Sequence, residues 1–144
     1  MNAERIDALL EKPYWVVDPL PYQVPAEGEG QFFAVEQFFL ESPMSSLLLQ
    51  KHARILLKIN CYYDIWIVEG GNEQWIRNPD PALVYRLAAN EKRFLKVMLG
   101  EDILIVFSDL DMTVYNPDSR LIELIRKLAG AEGLFFWQPP ETEK

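Results

Sequence analysis

The stretch "ILIVFSDLDMTVYNP", Ile103 to Pro117, decides the fold. A six-residue run that is mostly apolar, Ile103–Ser108, meets a second β-rich run, Met112–Tyr115, after only Asp109, Leu110 and Asp111. Two parallel strands need a crossover of a dozen or more residues, whereas antiparallel strands close through a short turn. Three residues of turn-forming character are hairpin length. The stretch therefore predicts an antiparallel pair with the two aspartates in or beside its turn.

Outward from this stretch the chain carries a faint echo of itself. At an offset of 38 positions, Leu56–Val84 falls on Phe94–Ile122 without a gap, and ten of the 29 pairs are identical. They include Asp64/Asp102, Ile65/Ile103, Ile67/Ile105, Val68/Val106 and the Asn-Pro-Asp runs at 78–80 and 116–118. Such self-similarity predicts one supersecondary unit used twice. We read it as a tandem β-β-β-α repeat over about 54–91 and 92–132. Its expected first strands are Arg54–Asn60 and Arg93–Leu99, and its central strands, apolar on both faces, are "DIWIVE" and "DILIVF". Asn78 and Asn116 are expected as helix N-caps with Pro79 and Pro117 in the first turn. The helices then run to about Asn90 and Ala129. In the second, Leu121, Leu124, Ile125 and Leu128 recur at i, i+3, i+4 and i+7, a single core-facing stripe. A closing strand is expected at Leu134–Trp137, followed by a frayed "QPPETEK" tail.

Before the repeat, Asn2–Glu11 reads as a helix. The segment 13–25 holds Pro13, Pro19, Pro21 and Pro25 with Tyr14, Trp15 and Tyr22 among them. It is expected to be extended and excluded from the sheet interior. Its rings either line a ligand groove or cover one end of the core, and the second role is preferred. "QFFAVEQFFLES" reads as a helix ending at Ser42-Pro43, although its Phe content also allows a strand, and "MSSLLLQKH" reads as a short helix or strand lead-in. The whole is expected to be one α+β domain, 1–144: an antiparallel sheet of six to seven strands with helices packed on one face.

Composition narrows the function. Fourteen basic residues against 22 acidic ones give a net charge of −8 over 144 residues. Such a surface repels phosphate backbones and anionic lipid, so neither nucleic acid nor membrane is an expected partner, whereas a basic protein is. One cysteine, Cys61, forms no internal disulfide, which fits a reducing compartment. "MNAERIDALLEK" lacks the continuous apolar core of a signal peptide, and the expected location is cytoplasmic.

An apolar strand followed by Asp109-Leu-Asp111-Met-Thr113 resembles motif I of the haloacid dehalogenase superfamily. The resemblance implies Asp109 as the nucleophile for a phosphoryl group, Asp111 as general acid/base and Mg²⁺ to neutralise the phosphate. It also implies a Ser/Thr, a Lys and a later acidic pair on further strands of a parallel sheet. Only 31 residues (144 − 113) follow Thr113. In the repeat, moreover, Asp109 and Asp111 fall on Gly71 and Glu73, a turn without a nucleophile. The motif is accordingly read as a polar turn. Cys61 and His52, the one cysteine and the one histidine, allow a Cys–His dyad on paper. The preferred reading is a buried thiol at a strand end and a surface imidazole. Two such groups also fall short of the four ligands of a structural zinc site. No phosphate-cradling glycine loop is present.

These readings converge on a non-enzymatic protein that binds another macromolecule, in the manner of an acidic inhibitor or immunity-type protein, with no metal or cofactor. The alternative is an Mg²⁺-dependent phosphohydrolase using Asp109, Asp111 and Thr113.

Overall fold

The computed structural model describes residues 3–23 and 28–140. The start of the Asn2 helix, Pro25 and Glu27, and the last four residues of the expected tail lie outside the described residues. In chain order the elements are α1 (Ala3–Leu9), β1 (Tyr14–Asp18), α2 (Phe32–Leu40), α3 (Met44–Asn60), β2 (Ile65–Glu69), β3 (Ile76–Arg77) and α4 (Pro81–Ala88). They continue with β4 (Phe94–Leu99), β5 (Ile103–Ser108), β6 (Asp111–Tyr115), α5 (Ser119–Ala131) and β7 (Phe135–Trp137). All seven strands join one antiparallel sheet in the order β3-β2-β4-β5-β6-β1-β7, an α+β architecture.

Period-two alternation sorts the strand residues between two cores. On one face Ile65, Ile67, Val97, Ile105, Phe107, Met112 and Val114 meet Leu56, Ile59, Val84, Leu121 and Ile125 of α3, α4 and α5. On the other, Met98 and Leu104 meet Ile6 and Leu9 of α1, with Trp66, Val106 and Tyr115 packed around them. The expectation of helices on one face is therefore corrected. Ile6 and Leu9 give α1 an apolar side, and the doubly apolar strands β4 and β5 need cover on both faces.

Three further expectations change. Arg54–Asn60 is not a strand but the last two turns of α3, so the segment 54–91 is α-β-β-α and the tandem β-β-β-α unit does not stand as read. A seven-residue window of this composition fits either a strand or a helix period. Over the 17 residues of α3 the buried positions Leu48, Leu49, His52, Ala53, Ile55, Leu56 and Ile59 follow a helical period. Next, Pro13 and Pro19 flank β1 instead of interrupting it, and β1 lies inside the sheet, paired to β6 and β7. Finally, Asn78 and Asn116 are not caps. Both have left-handed backbones, φ 43° and 60°, which asparagine tolerates but an N-cap does not use. The caps are the aspartates two residues on. Asp80 accepts from the Ala82 amide and Asp118 from the Leu121 amide, each at 2.8 Å. The asparagines instead tie turns together: Asn78 Nδ2 donates to Asp64, and Asn116 Nδ2 donates to the Asp102 carbonyl.

Candidate functional site

The hairpin that opened the sequence is present. Ser108 pairs with Asp111, leaving Asp109-Leu110 as a two-residue turn with Asp109 at φ 50°. What shapes this turn is a residue the sequence reading did not single out. Arg93, just before β4, is buried, and its guanidinium donates to three carbonyls: Nε to Asp109 at 3.0 Å, Nη1 to Ala88 at 2.8 Å and Nη2 to Asp111 at 3.1 Å. Nη2 also lies 2.8 Å from His52 Nδ1, and the guanidinium stacks over the Phe107 ring at 5.2 Å. Burial brings the Arg93 pKa down to about 10, while Asp111 and Asp109 oppose that shift. A guanidinium stays charged at such a value, so the turn rests on a buried cation.

The expectation for His52 and Cys61 is reversed. His52 is fully buried, and Cys61 is exposed at the C-terminal end of α3. Nine residues of helix separate them by roughly 13 Å along the axis, so they form no dyad. Burial first, and the Arg93 charge second, hold the imidazole well below its ordinary pKa of 6.5.

Beside the turn, at the end of the sheet where β1 and β6 meet α2, lies a cleft of about 540 Å³. Tyr14, Val16 and Asp18 of β1, Thr113 of β6 and Trp137 of β7 form its floor. Pro19, Leu20 and Gln23 form one wall, Leu110 and Asp111 another, and Glu36 and Leu40 of α2 reach in from the side. The β1 exit corner is clamped twice: Asp18 Oδ2 accepts from the Leu20 amide, and Trp137 Nε1 donates to the Leu20 carbonyl, both at 2.9 Å. Three carboxylates thus share the cleft with two aromatic rings. Burial pushes the Asp18 carboxyl up, the Leu20 amide counters, and Glu36 and Asp111 add repulsion. Asp111 is also pushed up, by partial loss of hydration and by Asp109, with Arg93 opposing. Carboxylates held so are stabilised by any cation that enters.

Of the sequence candidates, Tyr14, Asp111 and Thr113 come together here, and Asp109 is not among the lining residues. Trp15 points to the other face, stacked on Phe136 at 5.2 Å under the Arg126 guanidinium. Tyr22 is exposed outside the cleft. Asp18, Glu36 and Trp137 were not singled out. Asp18, Asp111 and Trp137 come together through the β1–β6 and β1–β7 pairings, which join residues about 90 or more positions apart and leave no local signal. Among the described residues no group of three or more His, Cys, Asp or Glu side chains is arranged to hold a metal ion. No helix among the described residues is long and apolar enough to cross a membrane. Comparison with protein-family models, with curated proteins and with solved structures finds no match for this chain.

Proposed function

We propose that the protein is a non-enzymatic binding protein for a basic partner, and that the cleft between Asp18, Glu36 and Asp111 receives a lysine or arginine side chain of that partner. The observation that carries this reading is the convergence of three carboxylates, two of them with raised pKa, on a cleft floored by Tyr14 and Trp137. Carboxylates supply charge and hydrogen-bond acceptors, and the ring faces supply cation–π attraction to the same group. The net charge of −8 steers a basic protein toward the site. An acidic inhibitor or immunity-type role in the cytoplasm is the biological setting that suits this chemistry, with nucleic acid and lipid surfaces disfavoured by charge.

The test is calorimetric titration with oligo-arginine and oligo-lysine at low and high salt. Binding that weakens with salt and is lost in Asp18→Asn/Glu36→Gln/Asp111→Asn supports the reading. Equal binding by wild type and variant removes the cleft from it. A parallel assay addresses phosphoryl chemistry. Mg²⁺-dependent turnover of p-nitrophenyl phosphate that vanishes in Asp109→Asn would replace the binding reading with an enzymatic one.

A further inference from the structure

Helix α2, "FFAVEQFFL", has Glu36 and Gln37 as its only polar residues. A helix apolar around its whole circumference is ordinarily enclosed by protein. None of the residues of α2 is buried. Its inner side, Phe32, Glu36, Phe39 and Leu40, is half-covered where the helix rests on α3. Its outer side faces solvent, with Phe33 at 57% exposure, Phe38 at 60% and Val35 at 42%. Phe33 and Phe38 lie about 140° apart around the axis with Gln37 and Ala34 between them, and Val35 lies on the flank beyond Phe38. Phe33 and Phe38 are propped outward by edge-on contacts with Phe32 and Phe39, at 5.2 and 5.6 Å between ring centres. Single exposed apolar side chains need no explanation, but a grouped set of them on one helix marks an interaction surface.

The charge around this helix identifies what fits it. From Pro13 to Gln50 the sequence contains no Lys, Arg or His, while Glu36 and Glu41 on and beside the helix and Asp18 in the cleft are acidic. Glu36 and Leu40 also line the cleft, so the helix and the carboxylate cluster are continuous. A second copy laid on α2 would bring these acids against their own counterparts with no cation from the segment between them. An anionic lipid surface meets the same repulsion. The complement is an apolar stripe edged with positive charge.

We infer that α2 is the docking face for a basic amphipathic helix of the partner protein. Its apolar stripe lies on Phe33 and Phe38, astride Ala34 and Gln37, and its cations lie over Glu41 and, past the Phe33 flank, over Glu36 at the cleft that holds Asp18 and Asp111. The inference rests on the basic-partner reading of the cleft and adds the shape of the partner and the anchor that holds it. Helix-on-helix recognition of this kind takes its affinity from a few large apolar anchors and its orientation from the charged rim.

The test is fluorescence anisotropy with two labelled Leu/Lys peptides of one composition. One carries leucine at i, i+3, i+4 and i+7, and the other has the leucines spread around the helix. The proteins are wild type, Phe33→Ser/Phe38→Ser and Asp18→Asn/Glu36→Gln/Asp111→Asn, each shown to be folded by its urea midpoint. Wild type is expected to prefer the amphipathic peptide by roughly tenfold or more, and Phe33→Ser/Phe38→Ser to lose that preference while keeping weak, salt-sensitive binding of both peptides. An unchanged preference in Phe33→Ser/Phe38→Ser, or no preference in wild type, overturns the role of α2. The cleft reading survives that result if the carboxylate variant loses salt-sensitive binding, and falls if it does not. A wild-type dimer that Phe33→Ser/Phe38→Ser converts to monomer would assign the face to a second copy. Binding to zwitterionic vesicles that the same variant abolishes would assign it to lipid. Either outcome overturns the inference.

Discussion

Nη2 of Arg93 lies 2.8 Å from Nδ1 of His52, with both side chains buried. An arginine only donates, so Nδ1 accepts and the neutral imidazole carries its proton on Nε2. This contact joins the middle of α3 to the turn between β5 and β6. It links the helix layer to the wall of the cleft that holds Asp111.

Arg93→Met should destabilise the protein by about 3 kcal/mol or more. It strips a charged donor from the carbonyls of Ala88, Asp109 and Asp111 and from His52, and buried acceptors left unpaired are costly. Arg93→Lys should recover only part of this, because one ammonium does not span the fork. Urea denaturation measures both, and a loss for Arg93→Met no larger than that of a surface substitution would show that the turn holds without its anchor.

Stability should fall as pH drops below about 6.5, with a slope of at most about 1.4 kcal/mol per pH unit. The folded state keeps His52 neutral well below 6.5. In that window the unfolded chain binds a proton that the folded chain does not, so acid favours unfolding. The chain has one histidine, which makes this the sole imidazole contribution. Asp18 and Asp111 act with the opposite sign and at lower pH, since their folded pKa values are raised from 3.8. Unfolding free energies from about pH 7.5 to about pH 5.5 should slope in wild type and flatten in His52→Gln; equal slopes would remove His52 from the pH response.

Asp118→Ala should cost about 0.5–2 kcal/mol through the lost helix cap. Asn116→Ala should also destabilise, but for another reason: alanine is strained at φ 60° and the bond to the Asp102 carbonyl disappears. Asn116→Gly should be milder than Asn116→Ala because glycine removes the strain. If alanine and glycine prove equal at 116, the left-handed backbone contributes nothing.

Asp18→Asn and Asp111→Asn should retain or raise stability at neutral pH while weakening capture of a cationic peptide. Raised carboxyl pKa values mean that the ionised forms are disfavoured by the fold, so a neutral isostere relieves repulsion. Denaturation midpoints and peptide titrations of the same samples separate the two effects. A marked drop in midpoint for either variant would show that the carboxylates support the fold instead of a ligand. Asp109→Asn should leave the midpoint unchanged, with or without millimolar Mg²⁺.

What the sequence determined by itself was local. The three-residue gap after Ser108 allowed only a hairpin, because no crossover fits so short a link. The alternation in 103–107 placed side chains on two faces, and the stripe of Leu121, Leu124, Ile125 and Leu128 oriented α5. These follow from bond geometry and periodicity over a few residues. Tertiary structure decided the rest. Leu57-Lys58 and Leu95-Lys96 are the same dipeptide, yet one is helix and the other strand. A short apolar window satisfies both periods, and the choice belongs to the surroundings that bury it. The doubly paired β1, the burial of His52 under Arg93 and the meeting of Asp18, Glu36 and Asp111 were likewise invisible in the chain. Each depends on contacts between residues far apart in sequence, and the free energy of such contacts appears only once the sheet has brought them together.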